Sequence, residues 1–157
     1  METQKRWLDS FSWEQVRTIN QSLCHDQNTA FEIRGSYDAA RDLWQQTAAR
    51  PLSLYDVLDL CRRCFEMSPF TFNNGNTFAT VGKNLVDDWL KTLPAVEGQI
   101  LRNTVGHYVA GIIGKKELLK VLQHFQTSWE SYAAARKTVP NPLPANIPVQ
   151  PQQAQNA

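Results

Sequence analysis

The stretch of sequence that most constrains the fold is CRRCFEMSPFTFNNGNTFATVG, from Cys61 to Gly82. Pro69 and the asparagine-rich run at 73–76 interrupt its apolar pattern. A proline disfavours the helical conformation of the residue before it, so a helix should end here. Loops are normally polar because they run over the surface. The phenylalanines of this loop must therefore pack in the protein's own core or against a partner, and the sequence leaves both open.

Periodic apolar residues on both sides of the loop predict helices. Ser53 is a typical N-cap, and an apolar stripe at i, i+3, i+4 spacing follows it through Phe65. The stripe after the loop predicts a helix that starts near Asn76 or Thr77 and stops before Pro94. Its inward residues would be Phe78, Val81, Leu85, Trp89 and Leu93.

The rest of the chain up to Lys137 also has helical patterning. Ser12 and Gln15 are spaced as a capping box for a first helix, and Ser36 can cap a second helix that runs from Tyr37 to about Ala49. A fifth helix follows Pro94, and a sixth runs from Lys115 to about Arg136. The inward face of the fifth is predicted as Val96, Ile100, Val105, Val109 and Ile112.

These patterns predict an all-α protein, a compact bundle of about six helices. The segment AFEIRG at 30–35 is the only β-like piece, too short for a sheet. Residues 138–157 hold five of the eight prolines, several glutamines and no charged residue. Such a composition buries too little to offset the entropy of ordering. We therefore expect a helical domain at 1–137 and a disordered Pro/Gln-rich tail at 138–157, with a PxxP match at Pro148–Pro151.

Composition and charge limit the class of protein. The formal net charge is +1, whereas nucleic-acid-binding domains usually carry a marked basic excess. The three cysteines give no even disulfide framework. No apolar run matches a signal peptide or the roughly 18 residues of a membrane span. A cytoplasmic protein with reduced thiols and no membrane contact is expected.

The motifs that suggest chemistry are incomplete. Cys61 and Cys64 form a CxxC, but a structural zinc site needs four ligands, and Cys24 and the three histidines lack ligand spacing. Both cysteines also fall on the apolar stripe of their helix, which is typical of core cysteine. No metal or cofactor is expected.

The loop itself has a spacing similar to a known catalytic motif. Residues 70–78, FTFNNGNTF, are spaced like the Fic adenylyltransferase motif HxFxDGNGR. Phe70, Asn74 and Phe78 stand where that motif has its histidine, acidic residue and arginine, so the base and the phosphate-binding group are missing. The prediction leans away from an enzyme and assigns no catalytic residue, although a site assembled from distant residues would leave no linear signature.

The leading hypothesis is a non-catalytic helical protein–protein interaction module, an accessory or adaptor protein that could also be a homo-oligomer. Interfaces favour aromatic and arginine anchors. The predicted partner-binding residues are Phe70, Phe72, Phe78, Arg62 and Arg63. Two alternatives stay open: a ligand or cofactor pocket lined by Trp89, His107 and Tyr108, and, less favoured, a nucleic-acid-binding face at Lys115, Lys116 and Lys120.

Overall fold

The computed structural model describes the backbone of residues 4–138 and their side chains apart from Trp89 and 128–138. Within this range the all-α prediction is confirmed: six long helices and one single turn form a compact bundle. The predicted tail lies outside the described residues, apart from Thr138. The helices are α1 (Trp13–Asp26), α2 (Tyr37–Ala48), α3 (Leu54–Met67), α4 (Asn74–Leu85), α5 (Asp87–Leu90), α6 (Ala95–Val109) and α7 (Lys115–Thr138).

Two helices begin with the predicted serine caps. The Gln15 amide donates to Ser12 Oγ over 3.3 Å, while Gln15 Oε1 accepts from the Ser12 amide over 2.6 Å. Ser53 forms the same reciprocal pair with Asp56 at the start of α3. Ser36 precedes α2 but forms no such cap. Each capping interaction typically contributes about 1 kcal/mol, so α1 and α3 have starts fixed by sequence.

The single helix predicted between 76 and 93 is divided into α4 and α5. α4 begins at Asn74 and ends before Val86, which is buried. Asp87 and Asp88 then occupy the first turn of α5, where acidic side chains interact favourably with the helix dipole. Asp87 and Asp88 therefore mark the start of a second helix within a range that the apolar stripe predicts as one helix.

α4 lies at the centre of the bundle and packs against α1, α3 and α6. Its approach to α6 is very close at Gly82. A Cβ at this position would lie 3.0 Å from Val105 Cγ1 and 3.3 Å from Val109 Cγ2. The missing side chain therefore lets the two helix backbones come together.

The predicted inward face of α6 is only partly correct. Val105 and Val109 are buried, whereas Val96, Ile100 and Ile112 are exposed. The buried side of the helix also includes Leu101, which the predicted stripe omitted, and three residues that carry little apolar signal: Gly98, Gly106 and Tyr108. Among the described residues, no helix combines the length and the apolar character that spanning a bilayer requires.

Candidate interaction surface

Phe70 and Phe78 belong to the core. Both are 0% exposed, and the Phe70 ring stacks on Trp13 with centroids 6.2 Å apart. The edge of Tyr37 also meets Phe70 at 5.8 Å. Neither phenylalanine reaches the surface of this fold, which corrects their placement on a partner-binding face. The aromatic density of the loop reflects packing within the chain at these two positions.

The loop enters the core through an isolated β-bridge. Ile33 pairs antiparallel with Phe70, and the Arg34 amide donates to the Pro69 carbonyl oxygen over 2.8 Å. The β-like piece at 30–35 thus forms a bridge and not a sheet, as its length indicated. This pairing satisfies backbone groups that would otherwise be buried without partners.

The side chain of Asn74 satisfies the backbone of Phe70 itself. The Phe70 amide donates to Asn74 Oδ1 over 3.0 Å, and Asn74 Nδ2 donates to the Phe70 carbonyl oxygen over 2.7 Å. One asparagine amide therefore pairs with both backbone groups of a buried residue. Its polar atoms are therefore engaged within the fold.

A second set of polar contacts ties the same loop to α1. Asn20, which is fully buried, donates through Nδ2 to the Phe72 carbonyl oxygen over 2.8 Å and to Thr77 Oγ1 over 3.0 Å. Asn73 Nδ2 lies 3.4 Å from Cys24 Sγ. Buried polar groups require partners, and this network provides them. The asparagine-rich run thus has a structural role.

The remaining predicted partner-binding residues lie apart from one another. Phe72 is 42% exposed and neighbours the bridge that includes Ile33, itself 53% exposed. Arg62 lies on α3, where its guanidinium carbon is 4.7 Å from the Tyr108 ring centroid and its Nη1 donates to the Ile113 carbonyl oxygen over 3.0 Å. Arg63 is exposed. Arg62 is thus engaged with α6 and the α6–α7 turn.

The predicted ligand pocket is not assembled by α6. His107 is exposed and Tyr108 is buried, so their side chains leave the helix on different sides. The Tyr108 hydroxyl donates to Asp59 Oδ1 over 3.1 Å and lies 3.3 Å from the Tyr55 hydroxyl. Burial, followed by the bond to Tyr55 and the Asp59 charge, raises the pKa of Tyr108. The Trp89 side chain lies outside the described residues.

The CxxC cysteines are buried and protonated. Burial raises the pKa of Cys64 to about 12, and it raises the pKa of Cys61 as well. A thiol must be ionised to act as a nucleophile or a metal ligand. Among the described side chains, no group of three or more His, Cys, Asp or Glu could hold a metal ion.

The predicted nucleic-acid face is exposed but carries a carboxylate at its start. Lys115, Lys116 and Lys120 are all exposed near the N-terminus of α7. Lys115 Nζ lies 4.6 Å from the Tyr55 ring centroid. Glu117 Oε2 accepts from the Gly114 amide over 3.1 Å and occupies the helix terminus where a phosphate would otherwise bind.

The outer side of α6 is the surface that sequence reasoning missed. Five residues at helical spacing are exposed there, and none carries a formal charge. Val96 is 73% exposed and Ile100 is 48% exposed, one turn apart. Gln99 donates through Nε2 to Asn103 Oδ1 over 2.9 Å beside them. We name this surface the α6 outer face: Val96, Gln99, Ile100, Asn103 and His107.

Two charged side chains border the α6 outer face. Glu97 and Arg102 lie on opposite borders of the exposed arc, and both are partly buried. The sequence does show that this side of α6 has no charged residue. Val96 and Ile100 were nevertheless predicted as core residues, because aliphatic residues at i and i+4 are typical of buried helix faces.

Comparison of this chain with protein-family models, with curated proteins and with solved structures found no match.

Proposed function

We propose that this protein is a non-catalytic helical interaction module, an accessory or adaptor, that binds a partner protein through the α6 outer face. The observation that carries the proposal is an exposed, uncharged helix side with two aliphatic residues, Val96 and Ile100. Interface cores are depleted of charged residues relative to the remaining surface. Burial of apolar area contributes about 25 cal/mol per Å², which favours covering these side chains.

Other helices present ordinary solvent faces by comparison. α2 exposes Asp38 and Asp42, and α7 exposes Lys116, Glu117 and Lys120 near its start. Charged side chains on the outer face of a helix are typical of contact with water. The α6 outer face departs from this pattern over three turns, in a chain of which 20% of residues are charged.

Phe72 is a second candidate contact. It is half-exposed, as is Ile33 on the bridge to Phe70, two positions before Phe72. Arg63, exposed on α3, stays in the proposal as an arginine available to a partner. These residues and the α6 outer face can be tested separately, because they lie on different elements.

The test compares three variants of the tagged full chain in the native host. Val96→Asp/Ile100→Asp places two charges on the α6 outer face, Ile33→Asp places one at the bridge, and Ala39→Asp controls for charge on an exposed helix position. A protein captured by the wild type is then purified and its binding measured by titration calorimetry.

We expect the α6 double variant to weaken binding at least about 10-fold, or about 1.4 kcal/mol, while Ala39→Asp leaves it unchanged. Loss of binding in Ile33→Asp alone would move the interface to the bridge. Unchanged binding in the α6 double variant would refute the proposed surface. Circular dichroism of each variant checks that the helices are retained.

A further inference from the structure

Asn74 and Gly75 form the only Asn–Gly pair in the sequence. In such a pair the backbone nitrogen of the glycine can attack the side-chain carbonyl carbon of the asparagine, because glycine has no Cβ to crowd the approach. We propose that Asn74–Gly75 is a deamidation site that the fold protects, and that its products cannot restore the folded loop. This inference goes beyond the proposed binding function and does not depend on the α6 outer face.

The reaction at this site needs no co-reactant except water. A solvent base removes the Gly75 amide proton, the nitrogen forms a bond to Asn74 Cγ, and the Cγ–Nδ2 bond breaks to release ammonia. Water then opens the resulting succinimide ring. Cleavage at Cγ leaves an aspartate at position 74, whereas cleavage at the backbone carbonyl leaves an isoaspartate, through whose side chain the backbone then runs. Either product has a carboxylate in place of the neutral carboxamide.

The folded structure restrains the Asn74 carboxamide. The Phe70 amide donates to Asn74 Oδ1 over 3.0 Å, and Asn74 Nδ2 donates to the Phe70 carbonyl oxygen over 2.7 Å. Both bonds must break for the carboxamide to leave Phe70. Phe70 is 0% exposed, and buried backbone groups that lose their partners are costly. Deamidation is therefore expected in molecules in which this part of the core has opened.

The product carboxylate does not fit the same place. An ionised aspartate has acceptors only, so it cannot donate to the Phe70 carbonyl oxygen. The bridge to Ile33 does not replace the lost donor, because its hydrogen bonds use the Pro69 carbonyl oxygen and the Thr71 amide. An isoaspartate also lengthens the backbone in the first turn of α4. A chain that deamidates while unfolded should therefore refold poorly, and its unfolding becomes irreversible with time.

The packing of the fold does not require a glycine at position 75. A Cβ there would lie 3.5 Å from Phe65 Cε1, which is an ordinary van der Waals distance. Gly75 lies inside α4 and has no positive φ. Alanine is also the better helix former. Gly75→Ala should therefore keep the fold while it crowds the attacking nitrogen, which makes it a matched control.

The first experiment measures how fast the full chain deamidates at position 74. Wild type and Gly75→Ala are kept in mildly alkaline buffer, with and without urea above the unfolding midpoint, and peptide mapping by mass spectrometry follows the modification. We expect the wild-type rate to be at least about 100-fold lower without urea, because few molecules are unfolded at any time. Equal rates in the two conditions would refute protection by the fold. A Gly75→Ala rate equal to that of the wild type in urea would refute ring closure at Gly75.

The second experiment measures what the modification does to folding. Samples are diluted from urea after increasing times, and circular dichroism gives the fraction of chains that refold. We expect the wild-type fraction to fall in step with deamidation at position 74, whereas Gly75→Ala keeps its initial value. Complete refolding of deamidated chains would overturn the inference.

A pair of aspartate substitutions tests the product without a refolding step. Asn74→Asp places the carboxylate at the site, and Asn76→Asp places one at an exposed position in the same turn of α4. We expect Asn74→Asp to have a lower Tm than the wild type or no folded state. Asn76→Asp should be at least as stable as the wild type, because a carboxylate is favourable at this helix end. Equal Tm values for Asn74→Asp and the wild type would contradict the proposal and leave binding through the α6 outer face untouched.

Discussion

The side-chain amide of Asn20 donates to the carbonyl oxygen of Phe72 over 2.8 Å, and so ties α1 to the loop that precedes α4. The same nitrogen also donates to Thr77 Oγ1 in the first turns of α4. Asn20 is fully buried, and so is Thr77. One polar side chain therefore sets the position of α1 relative to both the loop and the central helix.

Replacement of Asn20 should destabilise the protein. Asn20→Ala leaves the Phe72 carbonyl and the Thr77 hydroxyl without this partner, and each unsatisfied buried group costs about 1–3 kcal/mol. Urea unfolding should show a loss in that range or above. Gln21→Ala, at the adjacent exposed position of α1, serves as the control and should change stability by less than about 0.5 kcal/mol. Equal stability of the two variants would contradict the role assigned to Asn20.

The two phenylalanines of the loop should respond differently to truncation. Phe70→Ala removes a ring stacked in the core and should cost about 3–5 kcal/mol. Phe72→Ala removes a half-exposed ring and should cost clearly less, because much of its surface already contacts water. Urea unfolding of both variants measures the difference. A similar cost for the two would mean that Phe72 packs as deeply as Phe70.

A larger residue at Gly82 should separate α4 from α6. Gly82→Val adds a side chain where a Cβ alone would lie 3.0 Å from Val105 Cγ1. Overpacking of this kind typically costs about 1–3 kcal/mol. Ala39→Val, on the exposed side of α2, controls for the helix propensity of a β-branched residue, which is worth below about 1 kcal/mol. Thermal unfolding of both variants tests the comparison, and an unchanged Tm for Gly82→Val would refute the close approach.

Stability should fall in alkaline solution. The pKa of Cys64 is raised by burial from 9.0 to about 12, and that of Cys61 is raised too. The unfolded chain therefore loses these protons first as pH rises. The stabilisation from Cys64 is complete below about pH 9 and is lost progressively as pH approaches 12, by about 1 kcal/mol per pH unit. The raised pKa of Cys61 acts in the same direction.

Urea unfolding at about pH 7.5, 9 and 10.5 measures this slope. Cys61→Ala/Cys64→Ala lowers stability at every pH because it leaves space in the core, yet it should flatten the fall above pH 9. Tyr108, whose pKa is also raised, then accounts for the slope that remains above pH 10. An identical slope in the double variant would show that the thiols are not the titrating groups.

The parts of the fold predicted from sequence are those with strong local signals. Ser12 and Ser53 begin their helices as expected, because a cap is formed by residues three positions apart. The α3 stripe through Cys61 and Cys64 is buried as its spacing predicted. Such features depend on near neighbours along the chain and hence appear in the sequence itself.

The parts that escaped prediction depend on contacts between distant elements. Phe70 and Phe72 are two positions apart with the same side chain, yet only Phe70 reaches the aromatic cluster around Trp13. On α6, Gly106 faces inward against α4, where a Cβ would lie 2.8 Å from Lys83 Cε, although glycine carries little apolar signal. Val96 and Ile100 are exposed instead, so the candidate interaction surface lies on the side of α6 that was predicted to face the core.

Asn74 has a consequence for how such a bundle can be built. Its amide pairs with both backbone groups of Phe70, as a residue of a neighbouring strand would do. Asn74, the first residue of α4, thus bonds to one backbone edge of Phe70, and the bridge to Ile33 lies on the opposite edge. An extended stretch of chain can therefore border the core of a helical protein without a sheet beside it, and a loop can in this way place one aromatic side chain in the core.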